Sequence, residues 1–214
     1  MAEPRDTILL TGFGPFPGVA DNLTAELVPK LARSARVLFS DYDIVDEVLP
    51  VAWMRAPERL AALLGRKRPR LALHFGVSST AKGFRIEQAG RNVCAARGDA
   101  DGTMPAMARI LPTGPDALSS TIPVDAILAR LQRADIPCCT SNDAGEYLCN
   151  AVLYQSLVTA AAAAAARPFA AGFIHVPNWL SDASGPFEDG HLTWTGAMAG
   201  GLEIIAACLE DGAA

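Results

Sequence analysis

Short apolar, β-branched runs alternate along this chain with segments of helical spacing. That alternation restricts the folds open to it more than any other feature. Residues 7–11 (Thr-Ile-Leu-Leu-Thr), ended by Gly12, read as a first strand, and residues 44–51, 71–75, 136–140 and 169–176 read the same way. Residues 35–40 give a further strand, 83–89 a possible one and 119–122 a weak one. Helical spacing marks residues 23–32, 54–64, 124–134, 145–166 and 194–210, with Pro123 in a favoured position just before the third. Strands alternating with helices imply an α/β sandwich around a largely parallel sheet. There is no internal repeat or low-complexity linker, and 214 residues fit one domain, read as 1–214. The polar span 77–115 is long for a compact domain, and such loops are usually functional or mobile.

Half the residues are apolar, enough for a sizeable core. A net charge of −5 without a basic patch argues against nucleic-acid or anionic-membrane partners. No apolar stretch reaches the roughly 18 residues that a membrane helix needs, and the alanine run 160–166 reads as helix. Residues 1–6 lack the basic and then apolar regions of a signal peptide. Five cysteines, with Cys138 and Cys139 adjacent, make a poor disulfide framework; reduced thiols and a cytoplasmic location are expected. No cysteine or histidine spacing suits zinc, and no metal or cofactor is expected.

The chemistry concentrates in two segments. Residues 141–150 read Ser-Asn-Asp-Ala-Gly-Glu-Tyr-Leu-Cys-Asn and run into the Ala-rich helical stretch, with Ser141, Asn142 or Asp143 as candidate N-caps. A cysteine in the first turns of a helix sits near the positive end of the helix dipole, which favours its thiolate form. Residues 172–177 read Gly-Phe-Ile-His-Val-Pro, where His175 ends an apolar strand. A thiol at a helix start and an imidazole at a strand end are the parts of a nucleophile and its base. Taken alone, a cysteine such as Cys149 is more often a small buried helix residue. His74 ends another apolar strand and reads as structural; His191 reads as a surface residue or a contact to substrate. The Gly12-x-Gly14 start is not a dinucleotide fingerprint, because Gly18 lies one residue too far on and prolines and phenylalanines crowd the loop.

Three segments carry a resemblance that spans nearly the whole chain: Thr11-Gly12-Phe13-Gly14-Pro15-Phe16 with Asn22 after it, residues 141–150, and residues 172–177. In these the chain resembles the pyroglutamyl peptidase I (pyrrolidone-carboxylate peptidase) family of cysteine peptidases. The resemblance implies a single-domain, three-layer α/β/α sandwich with a mixed, largely parallel central sheet. It also implies removal of an N-terminal pyroglutamyl residue from peptides, and a homo-oligomer, dimer or tetramer. Carried over residue by residue, Cys149 is the nucleophile and His175 the general base and acid. Glu87, eleven residues past Gly76, orients His175. Arg97, ten residues further on, supports the developing oxyanion, with the Cys149 N–H as a second donor. Phe13 and Phe16 line a slot for the flat lactam ring, and Asn22 belongs to the same substrate loop, chiefly to hold it.

The middle of the chain departs from the family pattern. Gln88 stands where a basic residue is usual, Gly90 where alanine is, and Val77, Ser79 and Ala81 replace polar and glycine positions. Residues 98–102 read Gly-Asp-Ala-Asp-Gly in place of Ile-Pro-Asp-Asn. Two alternatives follow: an amide or lactam hydrolase of altered specificity on the same scaffold, or a binding homologue without turnover.

Overall fold

The computed structural model describes residues 5–188 and 191–211. In chain order the elements are β1 (Thr7–Phe13), α1 (Thr24–Leu38), β2 (Asp43–Leu49), α2 (Arg55–Lys67), β3 (Leu71–Ser78), β4 (Phe84–Glu87), β5 (Ala89–Arg91) and β6 (Ala117–Ser119). They continue with α3 (Val124–Arg133), β7 (Cys138–Ser141), α4 (Leu148–Ala163), β8 (Ala170–Pro177), β9 (Phe187–Glu188), β10 (His191–Leu192) and α5 (Trp194–Asp211). Six strands form one sheet in the order β2-β1-β3-β8-β4-β7. The first four are mutually parallel, β4 runs antiparallel to β8, and β7 runs parallel to β4. Two small antiparallel ribbons, β5 with β6 and β9 with β10, lie outside it.

The layers follow from side-chain alternation along the strands. Ile8, Leu10, Leu73, Phe75, Ile174 and Val176 face one side and meet Leu27 and Leu31 of α1, Ile127 of α3 and Ile204 of α5. Leu9, Ala72, Ala171 and Phe173 face the other and meet Leu60 and Leu63 of α2 and Leu153 and Leu157 of α4. Strands covered on both faces need apolar residues at every position, which is why they read as unbroken apolar runs rather than alternating ones. The expected three-layer α/β/α arrangement with a mixed, largely parallel sheet is the one observed. Among the described residues no helix is long and apolar enough to cross a membrane.

Several boundaries differ from the sequence expectation. Residues 35–40 are not a strand: α1 continues through Leu38, because Ala35 prolongs the buried stripe of Leu27, Val28, Leu31 and Ala32. Val37 and Leu38, which made the segment look like a strand, are exposed, Val37 by 78%. β3 runs through Gly76 to Ser78, and the weak strand expected at 119–122 lies earlier, as β6. The start of α4 is Leu148 rather than residue 145, and its N-cap is Tyr147, which makes no side-chain cap bond. Ser141 and Asp143 instead cap their own turn: Ser141 Oγ accepts from the Asp143 N–H, and Asp143 Oδ1 from the Gly145 N–H. The alanine run frays the other end of α4, which stops at Ala163 instead of 166.

His74 is fully buried between β1 and α4. Its Nδ1 meets Thr11 Oγ1 and its Nε2 meets Ser156 Oγ, each at 2.8 Å. One nitrogen donates and the other accepts, so the neutral imidazole is satisfied. Burial pushes its pKa down to about 3. Between about pH 6.5 and 3 the unfolded chain binds a proton that the native chain refuses. The contribution to stability is therefore full above that window and is lost as pH falls through it. His74→Gln should be less stable than wild type at pH 7, and the gap should narrow by up to about 1.4 kcal/mol per pH unit on acidification. Urea unfolding of both proteins from pH 7 to pH 4 checks this; a pH-independent gap would contradict it.

Candidate active site

The C-terminal ends of β1, β3 and β8 and the N-terminus of α4 converge at one edge of the sheet, the usual position of ligand sites in open α/β folds. β8 presents His175 there. Antiparallel pairing sets Arg85 opposite His175 and Glu87 opposite Phe173, so Glu87 projects from the same face as His175. Glu87 is fully buried and His175 is 7% exposed. Glu87 Oε1 lies 2.8 Å from His175 Nδ1, which makes Nδ1 the protonated nitrogen and leaves Nε2 for the thiol. Cys149 is within hydrogen-bonding reach of His175. Burial alone would lower the pKa of His175, but hydrogen bonds and charge from Cys149 and Glu87 outweigh it and raise the value to about 9. Glu87 Oε2 is buried with no hydrogen-bond partner among the described residues, so His175 is its principal counter-charge.

Local structure aims the thiol. Gly145, at φ 78°, reverses the chain into α4, a conformation that L side chains rarely adopt. The first intrahelical bond runs from the Ala151 N–H to the Tyr147 carbonyl, so the N–H groups of Leu148, Cys149 and Asn150 lack intrahelical acceptors. Asn150, fully buried, fixes the helix start: its Nδ2 donates to the carbonyls of Arg91 and Val93, and its Oδ1 accepts from the Arg91 N–H. β3 passes directly beneath the sulfur. A Cβ on Gly76 would lie 3.0 Å from Cys149 Sγ and 2.7 Å from the Phe173 ring.

Beside Cys149 is a small pocket of about 20 Å³, open to solvent. Phe13, Phe16, Val51, Val77 and Tyr147 form most of its wall. Asn22 reaches this wall while its Nδ2 donates to the Gly14 carbonyl and its Oδ1 accepts from Thr24, so it ties the loop to the start of α1. Tyr147 packs on Phe16 and edge-on against Trp53, and its hydroxyl donates to the Gly98 carbonyl. Asp99 holds that loop: its carboxylate accepts from the N–H groups of Trp53, Asp101 and Thr103. Arg97 is exposed and lies over the Tyr147 ring, 4.9 Å from its centroid. No hydrogen bond joins Arg97 to Cys149 or His175 among the described residues.

The expected residues thus fall into two groups. Glu87 and His175 are hydrogen-bonded and Cys149 acts on His175, while Phe13, Phe16 and Asn22 line the adjoining pocket. Arg97 stands at the rim. Sequence reasoning did not single out Asn150, Tyr147, Gly76 or Asp99. Asn150 had a signal, since a polar residue inside an otherwise apolar helical run needs a partner. A larger cavity of about 510 Å³ lies between α2, α4 and residues 103–111, but neither Cys149 nor His175 reaches it.

A thiol, an imidazole and a buried carboxylate in series beside a pocket on an α/β sheet define a cysteine peptidase. The pyroglutamyl peptidase family model matches residues 6–193, and the chain belongs to that family. The pyrrolidone-carboxylate peptidase of Pyrococcus furiosus is 36% identical over 171 residues, 79% of this chain and 80% of that one. The enzyme of the same name from Vibrio vulnificus is 34% identical over 208 residues, 95% and 92% of the two chains. An X-ray structure of pyrrolidone carboxyl peptidase from P. furiosus superposes with a TM-score of 0.84 at 30% identity, covering 96% of this chain and 99% of that one.

Gly76→Ala should yield a folded protein with badly reduced turnover. The added methyl must displace either the sulfur or the buried Phe173 ring, and a shift near 1 Å at a reacting atom costs about 10²-fold. Steady-state kinetics beside near-UV circular dichroism check this; unchanged kcat/KM would mean that the sulfur has room to move.

Proposed function

We propose that the chain works as a single domain that hydrolyses the amide bond after an N-terminal pyroglutamyl residue, with Cys149 as nucleophile. The observation that carries this reading is the Glu87–His175–Cys149 series at the mouth of an aromatic pocket. The lactam ring enters between Phe13, Phe16 and Tyr147, with Asn22 holding the loop that forms the wall. Cys149 sulfur attacks the carbonyl carbon. The oxyanion so formed meets the Cys149 N–H at the positive end of α4. Arg97 adds positive charge at the rim, an electrostatic contribution rather than a direct hydrogen bond. His175, held by Glu87, protonates the departing amine, then takes a proton from the water that hydrolyses the thioester. This scheme asks nothing of a metal or organic cofactor.

We also place the enzyme in the cytoplasm as a homo-oligomer, dimer or tetramer. Five cysteines, with Cys138 and Cys139 adjacent, form a poor disulfide framework and support the first assignment, and the exposed side chains of Met54, Met104 and Met107 support the second.

Release of the arylamine from a pyroglutamyl-arylamide under reducing conditions tests the reading. Cys149→Ala should lower kcat on the order of 10⁴-fold or more while the protein stays folded. Survival of turnover in that variant would exclude Cys149 as nucleophile. The pH profile gives a separate check. His175 stays protonated up to about pH 9, so its capacity to protonate the leaving amine, and kcat/KM with it, should decline as pH rises through that value. Glu87→Gln removes one of the groups that raise His175, and should move that decline to lower pH. An alkaline limb at the same pH in both proteins would show that Glu87 does not act through His175.

A further inference from the structure

The acyl pocket and the base lie on opposite flanks of Cys149, and this fixes the direction in which the rest of a substrate must run. Every wall residue of the pocket comes from α4 or its N-cap Tyr147, from β1 or β3, or from the loops after β1 and β2. In the sheet order β2-β1-β3-β8-β4-β7, that is one side of the sulfur; His175 on β8, with Glu87 on β4 behind it, is the other. His175 has to deliver its proton to the leaving nitrogen. With the ring over β1 and β3, that nitrogen lies over β8, and the residue attached to it continues past the end of β8.

The chain that leaves β8 at this point carries Asn178 and Trp179, both exposed, directly after buried Pro177. Trp179 leaves 51% of its surface in water, and its ring packs against His191 at a centroid distance of 4.7 Å. The contact is braced from behind: the Leu192 N–H donates to the Lys82 carbonyl, Ser181 bridges to Thr193, and the Trp194 N–H donates to the Ser181 carbonyl. A large aromatic side chain therefore lies four residues beyond His175, packed against one ring and half exposed to solvent. A surface ordered before the ligand arrives loses little freedom on binding.

We propose that Trp179, steadied by His191, is a specificity-determining residue that stacks on the side chain immediately after the scissile bond and favours an aromatic residue there. This rests on the pyroglutamyl peptidase reading above and extends it to the leaving group. An indole offers a flat apolar face of the size of a phenyl or phenol ring, and such pairs prefer offset or tilted packing at about 4.5–7 Å between centroids.

The test compares kcat/KM on pyroglutamyl-Phe-amide, pyroglutamyl-Gly-amide and pyroglutamyl-Lys-amide for wild type, Trp179→Ala, Trp179→Phe and His191→Ala. Trp179→Ala should lose about tenfold on the Phe substrate, the scale of one aromatic contact, and stay near wild type on the Gly substrate. Trp179→Phe should keep most of the selectivity, and His191→Ala should lower the Phe-to-Gly ratio in the same direction by a smaller factor. Equal losses on Phe and Gly substrates would assign Trp179 a structural role and overturn the proposal, as would no loss on either. A larger loss on the Lys substrate would overturn the aromatic assignment. Failure of folded wild type to cleave any of the three would instead remove the peptidase reading, and the subsite with it.

Discussion

The buried contact between Glu87 and His175 is the interaction around which the rest of the molecule is arranged. A carboxylate taken fully out of water is costly unless a charge partner and hydrogen bonds compensate it. Here one oxygen has the imidazole and the other has no partner among the described residues. The antiparallel insertion of β4 between β8 and β7 makes the contact possible, because it delivers Glu87 to the sheet interior beside His175. A carboxylate in that position raises the proton affinity of His175 despite burial, and the resulting imidazolium is the natural partner of a sulfur anion.

The sulfur itself is placed by packing rather than by charge. α4 is buried over most of its first three turns, between α2 and the sheet, so its axis is fixed by Leu153 and Leu157 below and by Asn150 at its start. Gly76 supplies the clearance, since β3 can approach the thiol only where no Cβ intervenes. Helix, strand and glycine together hold one reactive atom against one imidazole, and loops are spared that task.

Much of this was legible in the sequence. The unbroken apolar runs around Leu9, Leu73 and Ile174 announced a sheet covered on both faces, and the segments around Cys149 and His175 stood out by residue type as well as by family likeness. Where the reading slipped, longer-range packing decided the outcome. Ala35 belongs to a helix because it faces β-strand residues distant in the chain, while exposed Val37 and Leu38 imitate a strand. Ser141 and Asp143 have the chemistry of helix caps but cap their own turn instead, seven and five residues before α4 begins. Residues 83–89 read as a possible strand and contain β4, but Arg85 and Glu87 among its four residues gave no sign that it is an inner strand. The tether from Asp99 to Trp53 joins residues 46 positions apart and has no local signature.

The pocket wall has a different kind of support from the catalytic series. Tyr147 is leaned upon by Trp53 and Arg97 and tied to Gly98, and that loop is gathered by Asp99, all of it outside the main sheet. Residues 98–102 are also where the sequence reading expects a departure from the family pattern. Inheritance can therefore tinker with the width of the slot, one loop residue at a time, without disturbing the sheet that keeps sulfur and imidazole aligned. A scaffold built in this way lets lineages diverge in what they recognise long before they diverge in how they react.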